Sequence, residues 1–310
     1  METDCHPETC ERTLCGAIRG ARTGEAELKT IETQQTHLFL EASMDAVEVR
    51  EFAGGEACIF TTPSPDKETP NEDAAALLPF DAQSGALVVA DGVGGYRLGN
   101  AASAATVAAL QKSLENGSQQ EIQLRTAVLD GIENANRAVL DLGVGAATTL
   151  ALVEIQDGKA RPYHIGDSQV VIVGQRGKVK AQTVSHSPVG FAMEAGILNE
   201  KEAMHHEDRH LVSNVIGTPE MRIEIGAVQS LALRDTVILG SDGLFDNLHV
   251  AEIVDALRKG PLRTGMQRLV ETCRKRMDVP REGRPSKPDD LTIVAFRLHA
   301  RRRPRASSGS

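Results

Sequence analysis

Short apolar runs bounded by glycine, proline and acidic residues alternate with longer amphipathic segments along the chain. Runs rich in Val, Ile, Leu and Ala predict buried strands, because they have strand length and end at turn residues. The predicted strands are 47–52, 57–61, 74–78, 86–90, 145–155, 160–165, 170–173, 178–184, 221–228, 236–240 and 291–298. Strands this short, joined by tight turns, are typical of antiparallel sheets.

Apolar positions recur every three to four residues in four further segments, which are therefore predicted helices. They are 100–115, 121–140, 249–258 and 265–277. The tripeptide Asn116-Gly117-Ser118 is the predicted turn between the first two. Residues 186–210 mix small helical patches with charge, and this predicts an excursion from the sheet that acts as a mobile flap.

Both ends of the chain lack the hydrophobic period of the middle. Residues 1–45 are polar, and they predict a flexible N-terminal arm. Residues 300–310 carry Arg301-Arg302-Arg303-Pro304-Arg305 and predict a solvated basic tail, with a localisation signal or an anionic partner as the alternative.

The amino-acid composition and the net charge exclude some classes of protein. Only 3% of the 310 residues are aromatic and none is Trp, so the core must consist of Ala, Val, Leu and Ile. A formal net charge of -9 argues against a dedicated nucleic-acid binder. No apolar run approaches the roughly 20 residues that span a bilayer, and the N-terminus lacks the features of a signal peptide. We therefore expect a cytoplasmic protein that does not bind membranes.

Two groups of residues could suggest additional metal sites. The five cysteines are odd in number, and Cys5, Cys10 and Cys15 lie in the polar N-terminal segment, Cys5 next to a histidine. Unpaired thiols in a reducing compartment are the preferred interpretation, over a metal or redox site. The histidines of the flap have no matched ligand spacing, so we interpret them as surface residues. They are His205, His206 and His210.

Acidic residues stand where several predicted strands end or begin. Asp91 follows strand 86–90, Asp242 follows strand 236–240, and Asp289 precedes strand 291–298. Glu72 and Asp73 precede strand 74–78, and a hairpin of that strand with 86–90 would bring them near Asp91. A carboxylate at the end of a buried strand is costly unless it is paired or binds a metal. Carboxylate ligands without Cys or His favour hard cations such as Mg²⁺ and Mn²⁺.

Six short motifs in fixed order resemble the metal-dependent serine/threonine protein phosphatases of type 2C. The motifs are Asn71-Glu72-Asp73-Ala74, Asp91-Gly92-Val93-Gly94-Gly95, Ala147-Thr148-Thr149-Leu150, Gly166-Asp167-Ser168, Ser241-Asp242-Gly243-Leu244-Phe245-Asp246 and Asp289-Asp290-Leu291-Thr292. The resemblance implies an α/β/β/α sandwich of two antiparallel sheets flanked by helices. It places a catalytic domain at 46–299, with its flap at about 186–217.

The resemblance also implies roles for individual residues. Asp91 would bridge two Mn²⁺ or Mg²⁺ ions, and Asp242 and Asp289 would complete the ligands of the first ion. The second ion would bind the Gly92 carbonyl, with Glu72 and Asp73 near it directly or through water. A hydroxide between the two metals would be the nucleophile. The resemblance matches two more residues to positions that hold a third, weaker metal in some members. These are Asp167 and Asp246.

Two positions depart from the family pattern. The phosphate-binding arginine usually stands four residues before the position of Glu72, where this chain has Glu68. Lys67 or Arg97 is the predicted replacement, although a lysine offers a point charge rather than a bidentate fork. Val93 stands where many eukaryotic members have a histidine proposed as the general acid, and many bacterial members lack that histidine too.

These features predict a metal-dependent phosphatase that acts on phosphoserine and phosphothreonine in proteins, and we expect a monomer. The main alternative is a regulatory or binding module of the same fold with weak catalysis, suggested by Glu68. The other alternative is a phosphatase for a small phosphorylated metabolite, because the same metal centre could serve it.

Overall fold

Two antiparallel sheets are stacked face to face, and helices cover their outer faces. The computed structural model describes residues 34–65, 67–93, 98–143, 145–281 and 283–299. This arrangement confirms the predicted α/β/β/α sandwich.

The first sheet contains seven strands, numbered here along the chain. Their order across the sheet is β1 (His37–Leu40), β4 (Asp73–Pro79), β5 (Gly85–Asp91), β6 (Leu150–Gln156), β7 (Lys159–Ile165) and β10 (Glu224–Ile225). A further short strand, β11 (Gln229–Ser230), also pairs with β7. The predicted hairpin is the pair β4–β5, in which Asp73 lies directly opposite Asp91.

The second sheet contains six strands. Their order is β2 (Glu48–Phe52), β3 (Gly55–Thr62), β13 (Leu291–Leu298), β12 (Thr236–Gly240), β8 (Gln169–Val173) and β9 (Val179–Gln182). Strand β13 is a central strand, and it pairs along its whole length with β3.

Seven α-helices lie in the described residues. They are α1 (Gly99–Gln119), α2 (Leu124–Asp141), α3 (Pro188–Glu194), α4 (Glu200–Ala203), α5 (Asp242–Phe245), α6 (Val250–Leu257) and α7 (Leu262–Asp278), and a 3-10 helix occupies Glu207–His210. Helices α1 and α2 pack on the first sheet, and α6 and α7 pack on the second. None of these helices has the length and apolar character needed to cross a membrane.

Alternating side chains divide the interior into three apolar layers, as the period of two in a strand requires. On β5, Val88 faces α1 and α2, whereas Leu87 and Val89 face the second sheet. On β12, Ile238 faces α6 and α7, whereas Val237 and Leu239 face the first sheet. Both faces of each sheet are therefore buried, which explains the nearly continuous apolar runs in the sequence.

The predicted turn at Asn116-Gly117-Ser118 is wrong, because α1 continues through it to Gln119. Gly117 is buried against α2, and a Cβ atom built on it would lie 2.7 Å from the Cβ of Ala127. This glycine therefore allows close packing of two helices. The helix instead ends before Glu121, which has a positive φ of 56°.

Three other predictions differ from the structure. The predicted arm at 1–45 contains β1, which pairs with β4, although residues 1–33 lie outside the described part. The predicted strand 221–228 is reduced to the two residues of β10. The chain also changes sheets between β7 and β8, so these neighbours do not form one antiparallel pair. Asp167 lies at that crossing point.

Of the cysteines, Cys58 and Cys273 are described, and both are buried free thiols. Burial raises the pKa of each thiol to about 12. Cys5, Cys10 and Cys15 and the basic tail lie outside the described residues, so the predictions for them stay predictions.

Candidate metal centre

The acidic residues of both sheets meet at one edge of the sandwich. Asp73 begins β4 and Asp91 ends β5 on the first sheet, while Asp242 follows β12 and Asp289 precedes β13 on the second. Burial raises the pKa of Asp91 well above its ordinary value, and four neighbouring carboxylates raise it further. Those neighbours are Asp73, Asp242, Asp167 and Asp289. Acids that are distant in sequence therefore form one electrostatic cluster.

The backbone around Asp91 is fixed by hydrogen bonds to the segment before β6. The Thr149 N–H donates to the Asp91 carbonyl at 2.8 Å, and the Thr148 hydroxyl donates to the same oxygen at 2.7 Å. The Gly92 N–H donates to the Glu72 carbonyl at 3.1 Å, so the two predicted ligand segments are joined directly. The motif Ala147-Thr148-Thr149-Leu150 thus positions the acids instead of supplying a ligand.

Ser241 and Asp290 join the two sheets at the acidic edge. The Ser241 hydroxyl donates to Oδ2 of Asp73 at 2.8 Å, although these residues belong to different sheets. Asp290 accepts the backbone N–H of Ser64 at 2.8 Å and of Glu72 at 2.7 Å. The second acid of Asp289-Asp290 therefore anchors the loop between β3 and β4, a role that the sequence analysis did not identify.

Gly243 allows Asp242 to come close to the start of β13. A Cβ atom at Gly243 would lie 2.0 Å from the carbonyl oxygen of Asp290, so any other residue would push α5 away. Because α5 begins at Asp242, this close approach places Asp242 beside Asp289. The charge of Asp242 is, after burial, the main cause that raises the pKa of Asp289 to about 6.

The electrostatics of the cluster favour a bound cation. Burial, together with the charges of Asp290 and Asp242, raises the pKa of Asp73 to about 8. Burial and the charges of Asp242 and Asp246 raise the pKa of Asp167 to about 8 as well. Asp73 is 1% exposed, and its Oδ1 has no hydrogen-bond partner among the described residues. Buried carboxylate oxygens whose charge no hydrogen bond offsets are suitable ligands for a hard divalent cation.

Two lysine ammonium groups also contact the cluster. Lys67 Nζ donates to Glu72 Oε2 at 2.6 Å and to Asp290 Oδ2 at 2.7 Å. Lys287 Nζ contacts Asp242, and it lies 3.1 Å from both Asp246 Oδ2 and Asp289 Oδ2. The structure places Lys67 at the acidic edge, whereas Arg97 lies outside the described residues. The phosphate-binding role stays a prediction for both. The sequence analysis did not identify Lys287.

A separate group of possible metal ligands lies at the start of the flap. His164, His186 and Glu224 have ligand atoms within 4.8 Å of one another. However, the Gly166 N–H donates to Nδ1 of His186 at 3.1 Å, so the proton of a neutral His186 ring is on Nε2. That Nε2 is 3.1 Å from Glu224 Oε2, to which it donates. These hydrogen bonds attach the flap to β10.

The flap histidines of the sequence analysis make local contacts. His205 Nδ1 lies 2.8 Å from the Lys201 carbonyl, and His206 Nδ1 accepts the Asp208 N–H at 3.1 Å. In the described part of the chain, His205, His206 and His210 are not part of any cluster of metal-ligating side chains. They stay interpreted as surface histidines.

A cavity of about 330 Å³ separates the flap from the second sheet beside the acidic edge. Asp167, Asp242 and Asp246 form one end of its wall. The remainder of the wall is largely apolar and includes Val184, Val189, Met193, Met204 and Phe245. The cavity is thus continuous with the acidic cluster and large enough for a side chain of a polypeptide.

Comparison with known proteins agrees with this geometry. The family described as Protein phosphatase 2C matches residues 65–277, more than half of the chain. Protein phosphatase PhpP of Streptococcus pneumoniae is 31% identical over 213 residues, which are 66% of this chain and 85% of PhpP. The match to the family ends before Asp289, whose place in the cluster therefore rests on the structure.

Solved structures match over most of the sandwich. The serine/threonine phosphatase of S. agalactiae has a TM-score of 0.67 and 28% identity, covering 79% of this chain and 100% of that one. The catalytic domain of the phosphatase PstP, solved with two manganese ions, shares the fold at a TM-score of 0.60 and 22% identity, covering 81% of this chain and 99% of its own. The chain therefore belongs to the protein phosphatase 2C family and is a metal-dependent serine/threonine protein phosphatase.

Proposed function

We propose that the acidic edge binds two Mn²⁺ or Mg²⁺ ions and that Asp91 is shared between them. Asp242 and Asp289 serve the first ion, and the Gly92 carbonyl with Glu72 and Asp73 serves the second. The observation that supports this assignment most directly is the mutual approach of these acids from both sheets, which raises the pKa of Asp91. When bound, such a pair of cations lowers the pKa of a water molecule and neutralises the charge of the phosphoryl group.

The chain's own residues then orient the acids and the substrate. Ser241 holds Asp73, and the hydroxyl of Thr148 fixes the backbone of Asp91. The Lys67 ammonium has three N–H groups, of which Glu72 and Asp290 accept two. We assign the third to an oxygen of the substrate phosphate, because the side chain is held at the acidic edge and carries a positive charge.

The substrate is a protein segment that carries phosphoserine or phosphothreonine. With the phosphate at the acidic edge, the neighbouring residues of the segment lie along the cavity between the flap and the second sheet. The support for this placement is the continuity of the cavity with Asp167, Asp242 and Asp246. Because this wall is largely apolar, an apolar side chain near the phosphorylated residue suits it best.

Phosphate release from a phosphothreonine peptide in the presence of Mn²⁺ tests the assignment. Asp91→Asn and Asp242→Asn should each lower kcat at least about 100-fold, because each removes a charged metal ligand. Loss of a residue that only hydrogen-bonds to a metal ligand already costs about 10–100-fold, and loss of the ligand itself should cost more. Asp130→Asn, an exposed position on α2, is the matched control and should keep full activity. Equal activity of all three variants would refute the metal centre.

The same assay separates the role of Lys67 from that of the metal ligands. Lys67→Met should raise KM about 10-fold while kcat stays within a few-fold, as expected for a residue that mainly binds the ground state of the substrate. An unchanged KM would show that Lys67 only neutralises Glu72 and Asp290. Comparison of the peptide with a sugar phosphate excludes the metabolite phosphatase if the peptide is turned over far faster.

A further inference from the structure

Lys287 is the most closely held cation at the acidic edge. Its side chain is 19% exposed, and its ammonium contacts three carboxylates of the cluster at once. The chain itself therefore supplies a cation to these acids.

The backbone of Lys287 is held in place by a buried asparagine. Asn247 is fully buried, and its Oδ1 accepts the Lys287 N–H at 2.8 Å. Its Nδ2 donates to the carbonyl of Lys287 at 2.8 Å and to the carbonyl of Gly243 at 2.9 Å. The same asparagine thus links Lys287 to the helix that begins at Asp242, and Pro288 restricts the chain that follows. The direction of the lysine side chain is built into the fold.

The ammonium lies against one of the two residues predicted to hold a third ion. The resemblance to the type 2C family implies that Asp246 is a ligand of a third, more weakly bound metal. Its Oδ2 lies 3.1 Å from Lys287 Nζ. A third divalent cation at Oδ2 of Asp246 would have to share that space with an ammonium of like charge. The two cannot occupy that space together, because their repulsion is strong where water is largely excluded. The first ion has the Oδ1 atoms of Asp242 and Asp289 instead, since Nζ contacts only Oδ2 of each.

We propose that the ammonium of Lys287 takes the place of a third divalent cation at Asp246, and that the first ion uses the Oδ1 atoms of Asp242 and Asp289. The protein then carries a tethered cation where a metal would otherwise bind. This inference rests on the proposed function, because it requires that the acids of the cluster are metal ligands. It adds that the chain itself sets how many metals the cluster accepts.

Counting bound metal tests the inference without reference to activity. Equilibrium dialysis at a fixed free Mn²⁺ concentration gives the number of ions per chain for wild type and for Lys287→Met. We expect the variant to bind one ion more than wild type, because the position is vacated and its three carboxylates lose their cation. Lys287→Arg keeps the charge and should bind the same number as wild type.

A second lysine that is paired with a carboxylate provides the matched control. Lys180 Nζ pairs with Asp235 Oδ2 at 2.7 Å, and neither residue belongs to the acidic cluster. Asp235 precedes β12, whereas Asp242 follows it, so the pair lies at the other end of that strand. Lys180→Met should therefore leave the number of bound ions unchanged. If Lys287→Met does not fold, Lys287→Gln replaces it, since its amide can still donate hydrogen bonds to the acids.

The outcomes separate this inference from the proposed function. One additional ion in Lys287→Met, with Lys287→Arg and Lys180→Met unchanged, supports it. Equal numbers of ions in wild type and Lys287→Met overturn it and leave the metal centre standing. If no variant binds Mn²⁺, the assignment of the acids as ligands fails, and the inference fails with it.

Discussion

At the scale of single residues, the acidic cluster is unfavourable until a cation joins it. Asp73 and Asp91 are direct neighbours in the β4–β5 pair, and burial is the largest cause that raises the pKa of each. Lys67 and Lys287 neutralise only part of the charge. These acids were predictable from the sequence because each stands at the end or start of an apolar run. Lys287 was not predictable, because that lysine contacts Asp242 across 45 positions of sequence and no local pattern marks the contact.

The raised pKa values predict how stability depends on pH. Asp73 and Asp167 have a pKa of about 8 in the folded protein against an ordinary 3.8. The folded protein therefore binds more protons than the unfolded chain, and its stability falls as pH rises from about 4 through 8. Between pH 7 and pH 8.5, the metal-free protein should lose about 2 kcal/mol, or roughly 5 °C in Tm.

Thermal unfolding in the presence of a chelator measures this effect. Asp167→Asn should show a smaller fall in Tm over the same range, because one of the two titrating groups is removed. Saturating Mn²⁺ should raise the Tm and reduce the dependence on pH, since bound acids stay ionised. A Tm that is constant or rises between pH 7 and pH 8.5 in chelator would contradict the electrostatic account.

At the scale of elements, the apolar runs predicted where strands begin and end better than they predicted which strands pair with each other. The bounds of β12 and β13 agree with the sequence because both strands are buried on both faces and end at polar residues. The crossing between sheets at Asp167 could not be predicted, since the runs on either side look alike. The glycine at 117 suggested a turn, but it serves helix packing, and only the position of α2 shows this.

The packing of α1 on α2 gives a test at this scale. Gly117→Ala gains up to about 1 kcal/mol of helix propensity, but the new methyl group meets the Cβ of Ala127 at 2.7 Å. We expect a net loss of roughly 1–3 kcal/mol from overpacking, measured by urea unfolding. Asn116→Ala, on the exposed side of the same helix, should be neutral or stabilising. A stabilised Gly117→Ala would show that the two helices can separate at little cost.

The flap forms part of the wall of the cavity beside the acidic edge. His186 fixes its start, since its N–H donates to the Gly166 carbonyl at 2.8 Å and its ring stacks on His164. Helix α3 then presents Met193 to the cavity beside the acidic edge. The flap was predictable as an excursion from the sheet, but its cavity was not, because the wall combines residues of the flap, β9 and α5.

Filling the cavity should affect peptides and leave small substrates unaffected. Met193→Trp should lower kcat/KM for a phosphothreonine peptide at least about 5-fold, because the indole occupies space that the peptide needs. Turnover of p-nitrophenyl phosphate should stay within twofold, since it reaches only the acidic edge. Ile197→Trp, a flap position that is 74% exposed and not part of the cavity wall, is the control. Equal loss on both substrates would place the effect in the metal centre.

At the scale of the whole molecule, the sandwich brings together acids that are far apart in sequence. Asp73 and Asp91 come from the first sheet, Asp242 and Asp289 from the second, and Ser241 joins the two through Asp73. Stacking the sheets therefore assembles the site, and no single element contains it. The order of motifs predicted this fold through the resemblance to the type 2C family, whereas the bond between Ser241 and Asp73 required the structure.

The most direct test of this account is anomalous diffraction from crystals of the full chain grown with Mn²⁺. The account predicts manganese peaks between the carboxylates of Asp91, Asp242 and Asp289 and beside the Gly92 carbonyl, with the ammonium of Lys287 retained next to Asp246. Crystals in which these acids are separated, or in which no manganese peak lies among them, would contradict it.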